Sequence, residues 1–122
     1  MTKFMLVYHH PLEPVGKPSP EEMQQLMQKW QAWIARGTEE GWLADRGNGL
    51  TPECRVVGTD QAVTDGPFVE SKEVVGGWAL MQHGTLEEAI AGQQEFAELH
   101  VKYWPECSMV ATLRQISEAD PT

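Results

Sequence analysis

The side chains in this chain that could move a proton or hold a small ligand are His100, Asp65, His9, Glu70 and Lys72. Imidazole exchanges a proton near neutral pH and a carboxylate can accept or orient one, so His100 and Asp65 are the candidate acid–base pair. His100 lies four residues after Phe96 and four before Trp104, on one helical face with large aromatic groups where burial would shift its proton affinity. A histidine at the rim of a core, bonded only to backbone, is the competing reading. Asp65, Glu70 and Lys72 flank a turn. At the mouth of a cleft they could bind a small polar ligand or pass a proton to His100. On a solvated hairpin they would do no more than pair across strands, worth about 0.2–1 kcal/mol per pair. Asp65 can also bond the backbone just beyond it, which is ordinary turn chemistry.

Other reactive types are less promising. His9 and His10 are adjacent in a strand and point to opposite faces, so they do not share a metal, and no further ligand lies at zinc-like spacing. His83, at a strand end, reads as solvent-facing. Cys54 and Cys107 lie far apart, without a CxxC spacing or an activating neighbour, and read as free, inert thiols of a reducing compartment. No glycine-rich phosphate loop, nucleophile elbow or clustered metal motif is present in the sequence.

The elements that must position these groups are well punctuated. Phe4 to His9 is a first strand, apolar on both faces, and Pro11 to Pro18 is an irregular loop. Ser19-Pro20-x-Glu22 is a capping box with proline at the first helical position. The helix it opens carries Met23, Leu26, Met27, Trp30, Trp33 and Ile34 on one wide apolar face, which suits core packing, and ends between Gly37 and Gly41. Trp42 to Asp45 and Arg55 to Gly58 read as short strands. Ala62 to Thr64 and Pro67 to Val69 read as a hairpin built on Asp65-Gly66. Gly77 to His83 is a strongly apolar strand. Thr85 and Glu88 form a second capping box, opening a helix with Leu86, Ala89, Ile90, Phe96, Ala97, Val101 and Trp104 inward and Pro105 as its stop. Ser108 to Ile116 is the last strand.

A length of 122 residues suits one domain, 1–122, able to bury a core without metals or disulfides. With 18 acidic against 9 basic residues the formal charge is −9, which argues against nucleic acid or an anionic membrane as a direct partner. The apolar run at the N-terminus is too short for a signal peptide, and the expected location is cytoplasmic. The element order predicts an α+β fold, a ferredoxin-like split βαβ with an inserted β-hairpin. Two helices cover one face of such a sheet. Phe4-Met5-Leu6-Val7 and Trp78-Ala79-Leu80-Met81 are apolar on both faces, so a homodimer packed sheet against sheet is expected.

The run Asp65-Gly66-Pro67-Phe68-x-Glu70-x-Lys72-Glu73, with Gly76-Gly77-Trp78 and Leu86-Glu87-Glu88-Ala89 after it, resembles the DGPF family of YCII-related proteins. Phe4 to His9 and Leu99-His100-x-x-Tyr103-Trp104-Pro105 resemble the same family, so the likeness spans nearly the whole chain. The resemblance implies a dimeric α+β barrel, a gene setting often near extracytoplasmic-function sigma factors, and chemistry of the kind suspected for the His and Asp pair of YCII proteins. The YCII-type histidine belongs on the first helix, where this chain has Trp30, so that dyad does not transfer.

Two functions of different classes follow. One is a small-molecule enzyme without a bound cofactor, using His100 with Asp65 in a cleft between sheet and helix, with His9, Glu70 and Lys72 as ligand contacts. The other is a non-catalytic ligand-binding or protein-interaction module, an accessory to transcription regulation.

Overall fold

The computed structural model describes residues 1–13, 16–67 and 72–117. In chain order its elements are β1 (Thr2–Pro11), α1 (Pro20–Glu40), β2 (Leu43–Gly49), β3 (Arg55–Val57), β4 (Val63–Asp65), β5 (Glu73–His83), α2 (Leu86–Tyr103) and β6 (Val110–Gln115).

Local chemistry sets the helix ends. Ser19 Oγ accepts the Glu22 N–H at 3.1 Å and the Glu22 carboxylate accepts the Ser19 N–H at 3.2 Å, so the first capping box is reciprocal. Gly41 closes α1 at φ 87°, its N–H donating to Gly37 O at 3.0 Å. The second box is half formed. Thr85 Oγ1 accepts the Glu88 N–H at 3.2 Å, but the Glu88 carboxylate accepts from the Thr85 hydroxyl rather than from its backbone.

The fold is α+β: two helices, a four-stranded sheet in the order β2-β5-β1-β6, and a separate two-stranded ribbon of β3 and β4. Every neighbouring pair is antiparallel, so β1 and β2 run in the same direction on either side of β5. Alternation along the central strands sends Phe4, Leu6, Ala79 and Met81 to the helix side, where they meet Leu26 and Trp33 of α1 and Ala89 of α2. Met5, Val7, Trp78 and Leu80 alternate to the opposite side and are only half-buried.

Several expectations change. The inserted hairpin pairs differently: β4 runs against β3, with Arg55 opposite Asp65 and Val57 opposite Val63. Its turn lies at 58–62, where Gly58 and Ala62 are bonded at 3.0 Å and the Asp60 carboxylate accepts the Ala62 N–H at 2.9 Å. That Asx turn outcompetes Asp65-Gly66, which ends the ribbon; Gly66 N–H donates to Cys54 O at 2.9 Å, and Pro67 has no N–H to continue the ladder. The expected strand Pro67 to Val69 lies, beyond Pro67, outside the described residues.

The central strands are longer than expected, since β5 begins at Glu73 to match a β1 that continues to Pro11. On α2 the inward stripe is Ala89, Gln93, Phe96 and His100. Leu86, Ile90 and Val101, expected inward, are 45, 40 and 72% exposed. His83 is buried, not solvent-facing: it shares the parity of Ala79 and Met81 and stacks on Trp42 with ring centroids 5.8 Å apart.

Candidate functional site

Four glycines make room for a cleft on the helix side of the sheet. Gly47 and Gly49 of β2 and Gly76 and Gly77 of β5 line a space of about 390 Å³ that α1 and α2 close from above. Gly47 is the irregular point of β2, with φ 68°, and a Cβ there would lie 1.7 Å from Trp78 O, so no other residue fits. Gly49 and Gly77 are paired across the strands, which leaves that stretch of sheet without side chains. The aromatic walls are Tyr8, Trp30 and Phe96, while Trp78 borders the space with its backbone beside Gly47. A second space, about 420 Å³, lies between α2 and β6, and His100 and Met109 line both.

His100 is 7% exposed. Its Nδ1 lies 3.1 Å from Phe96 O. A carbonyl oxygen only accepts, so Nδ1 carries the hydrogen of the neutral ring and Nε2 carries the lone pair. Burial pushes the imidazole pKa below its ordinary 6.5, and the bond to Phe96 O opposes this only in part. His100 is therefore neutral at pH 7, a weak base with a fixed tautomer. Its ring tilts against Trp30, with centroids 5.5 Å apart, and against Phe96 at 5.1 Å.

His100 Nε2 and Trp30 Nε1 are both buried and without a hydrogen-bond partner. Each such orphan costs about 1–3 kcal/mol. One is an acceptor and the other a donor, on adjacent rings, just beneath the wall of the cleft. The two are chemically complementary to a hydroxyl, whose O–H can donate to Nε2 and whose oxygen can accept from Nε1–H. Tyr8 sits nearby, its hydroxyl donating to Gln93 Oε1 at 3.4 Å. Burial raises its pKa to about 12, so it stays a neutral phenol.

Among the described residues, His100 is the only one of the candidate acid–base and ligand contacts that lines this cleft. Asp65 lies in the ribbon, its side chain 91% exposed and 3.3 Å from Arg55 Nε. The structure does not bring Asp65 and His100 together. His9 bonds Thr112 through Nε2 and Oγ1 at 3.3 Å, and Lys72 is exposed just before β5. Glu70 lies outside the described residues. Among the described residues, no three His, Cys, Asp or Glu side chains converge as a metal site would require. No helix is long and apolar enough to cross a membrane.

Sequence reasoning missed the partners of His100. Trp30 reads from sequence as core, and Gly47, Asn48 and Gly49 read as a loop between Trp42–Asp45 and Arg55–Gly58, whereas they end β2. The signal was there: Gly-Asn-Gly and Gly-Gly within strand sequences mark bulges or places where a ligand can approach the backbone. In comparisons with protein-family models and with curated protein sequences, nothing matches this chain.

Proposed function

We propose that this chain is a cofactor-independent small-molecule enzyme of the YCII-related DGPF kind its sequence resembles, with His100 as the acid–base group. The observation that carries this reading is that two residues lining the cleft, His100 and Trp30, each hold a buried, unpartnered ring nitrogen, Nε2 and Nε1. In this reading the ligand hydroxyl gives its proton to Nε2, and the Trp30 N–H donates to the oxygen as negative charge grows there. The imidazolium keeps its Nδ1–H on Phe96 O. Because burial disfavours the charged ring, the proton is readily returned to product.

The fold supports the architecture this implies. The strand order β2-β5-β1-β6, with β1 and β2 parallel across β5, fits a ferredoxin-like split βαβ. The half-buried apolar side formed by Met5, Val7, Trp78 and Leu80 supports a homodimer packed sheet on sheet, the dimeric α+β barrel. Light scattering at micromolar concentration giving the mass of one chain would remove the dimer. A cytoplasmic setting belongs to the same reading, supported by two free cysteines.

One observation favours the non-catalytic alternative. The expected acid, Asp65, stands outside the cleft, which leaves His100, among the described residues, as the only histidine or carboxylate lining it. A ligand-binding module would need no second group. Thermal shift across a panel of hydroxylated metabolites, followed by a turnover assay of any hit, separates the two: the enzyme turns the hit over and loses this in His100→Gln, whereas the module binds without turnover. A panel in which no hydroxylated compound shifts the melting temperature would refute both.

A further inference from the structure

We propose that the ligand of this cleft is an anion, a hydroxylated aromatic carboxylate whose carboxylate meets Arg46 at the rim while its hydroxyl reaches His100 and Trp30. This rests on the functional reading above and names its substrate class. The chain carries 18 acidic residues and a net charge of −9, yet among the described residues no carboxylate lines this cleft and Arg46 is its only permanent charge. A general surface of this composition repels anions. A cation at the entrance of an otherwise uncharged aromatic space favours an anion there.

Arg46 is held there by the backbone. The Gly47 bulge sets its direction on β2, and the neighbouring Asp45 carboxylate is turned back to accept the Gly47 N–H at 2.8 Å. Arg46 has no ion pair or hydrogen bond among the described residues, whereas Arg36 pairs with Glu95 and Arg55 with Asp65. Its guanidinium is free to bind a carboxylate in fork geometry. Tyr8, Trp30 and Phe96 line the space between the two polar ends with aromatic side chains suited to a planar body. The volume, about 390 Å³, lies in the range of small-ligand sites.

The test uses the intact chain and three probes: phenol, benzoate and 4-hydroxybenzoate, titrated by calorimetry. 4-Hydroxybenzoate should bind about tenfold tighter than phenol, and the advantage should shrink as salt rises from 50 to 500 mM, roughly as a partly exposed charge pair is screened. Arg46→Gln should bring 4-hydroxybenzoate to the affinity of phenol and leave phenol unchanged; Arg46 is exposed, and an unaltered melting temperature confirms that the variant folds. Equal binding of phenol and 4-hydroxybenzoate to the unaltered chain overturns the anion site while leaving the hydroxyl site intact. Equal binding of benzoate and 4-hydroxybenzoate, both tighter than phenol, upholds Arg46 and overturns the hydroxyl reading. No binding of any probe overturns both.

Discussion

The β3–β4 ribbon and the glycine-floored cleft treat their charged and titratable groups in opposite ways. The ribbon carries Asp65 and the start of the chain's most distinctive motif, but Asp65 is 91% exposed and Val57 and Val63 are 64 and 62% exposed. Its Asp65–Arg55 pair is solvated on all sides, and such pairs contribute no more than about 1 kcal/mol. The cleft is built from less distinctive residues, glycines and aromatics, and there burial lowers the pKa of His100 and raises that of Tyr8. Burial shifts titration, and this chain buries titratable groups where its sequence is least conspicuous.

The largest effect that would sharpen this contrast is catalytic. With a turned-over ligand in hand, His100→Gln should lower kcat by about 10²–10⁴-fold, while Asp65→Asn should leave it within about twofold. Comparable losses in both variants, measured by steady-state kinetics, would erase the distinction between ribbon and cleft.

Glycine substitutions come next. Gly47→Ala places a Cβ 1.7 Å from Trp78 O at φ 68°, and urea denaturation should show a loss of about 3 kcal/mol or failure to fold. Gly66→Ala meets Cys54 Sγ at 2.4 Å, the end of a side chain in an exposed ribbon, and should cost about 1 kcal/mol. A reversed order would mean that the ribbon, not the cleft floor, is the rigid part.

Titration gives a third measure. The folded pKa of His100 lies below 6.5, so the unfolded chain binds the extra proton first. Its contribution is complete above pH 6.5 and is lost as pH falls from there through the folded pKa. Urea midpoints at pH 7.5 and 5 should differ more in the unaltered chain than in His100→Gln. The rings against it are Trp30 from α1 and Phe96 on α2, and among the described residues Arg46 is the only permanent charge lining the cleft. Tyr8 acts at the other extreme: its folded pKa of about 12 exceeds the ordinary 10, so its stabilisation is present below pH 10 and fades between pH 10 and 12. Tyr8→Phe should flatten that alkaline loss, on the order of 2 kcal/mol.

The smallest expected change is in the ribbon. Asp65→Asn removes one exposed ion pair and should shift stability by less than about 0.5 kcal/mol by urea denaturation. A larger loss would give Asp65 a structural role that its exposure does not suggest.

Much of the fold was legible from local signals. The α1 box of Ser19 and Glu22, the Gly41 stop and the Thr85 cap act over three or four residues, and the helices begin and end where those residues stand. The site was legible only in part. His100 was found through its aromatic spacing, but Asp65 was assigned to it because both can carry protons, and type alone does not bring side chains together. The ribbon turn went to Asp60 rather than Asp65 because two Asp-containing segments competed for one reversal.

The sequence by itself determined the order of strands and helices, the caps that bound the helices, and the acidic surface, because these depend on neighbours along the chain and on composition. Only the tertiary structure decided which stripe of α2 faces inward, which strand β4 pairs with, and that Trp30 lies against His100. The first and last of these depend on the rotation at which each helix settles on the sheet. That rotation is set by the fit of Ala89, Gln93, Phe96 and His100 against α1 and the central strands, a balance of many packing contacts that no short segment encodes.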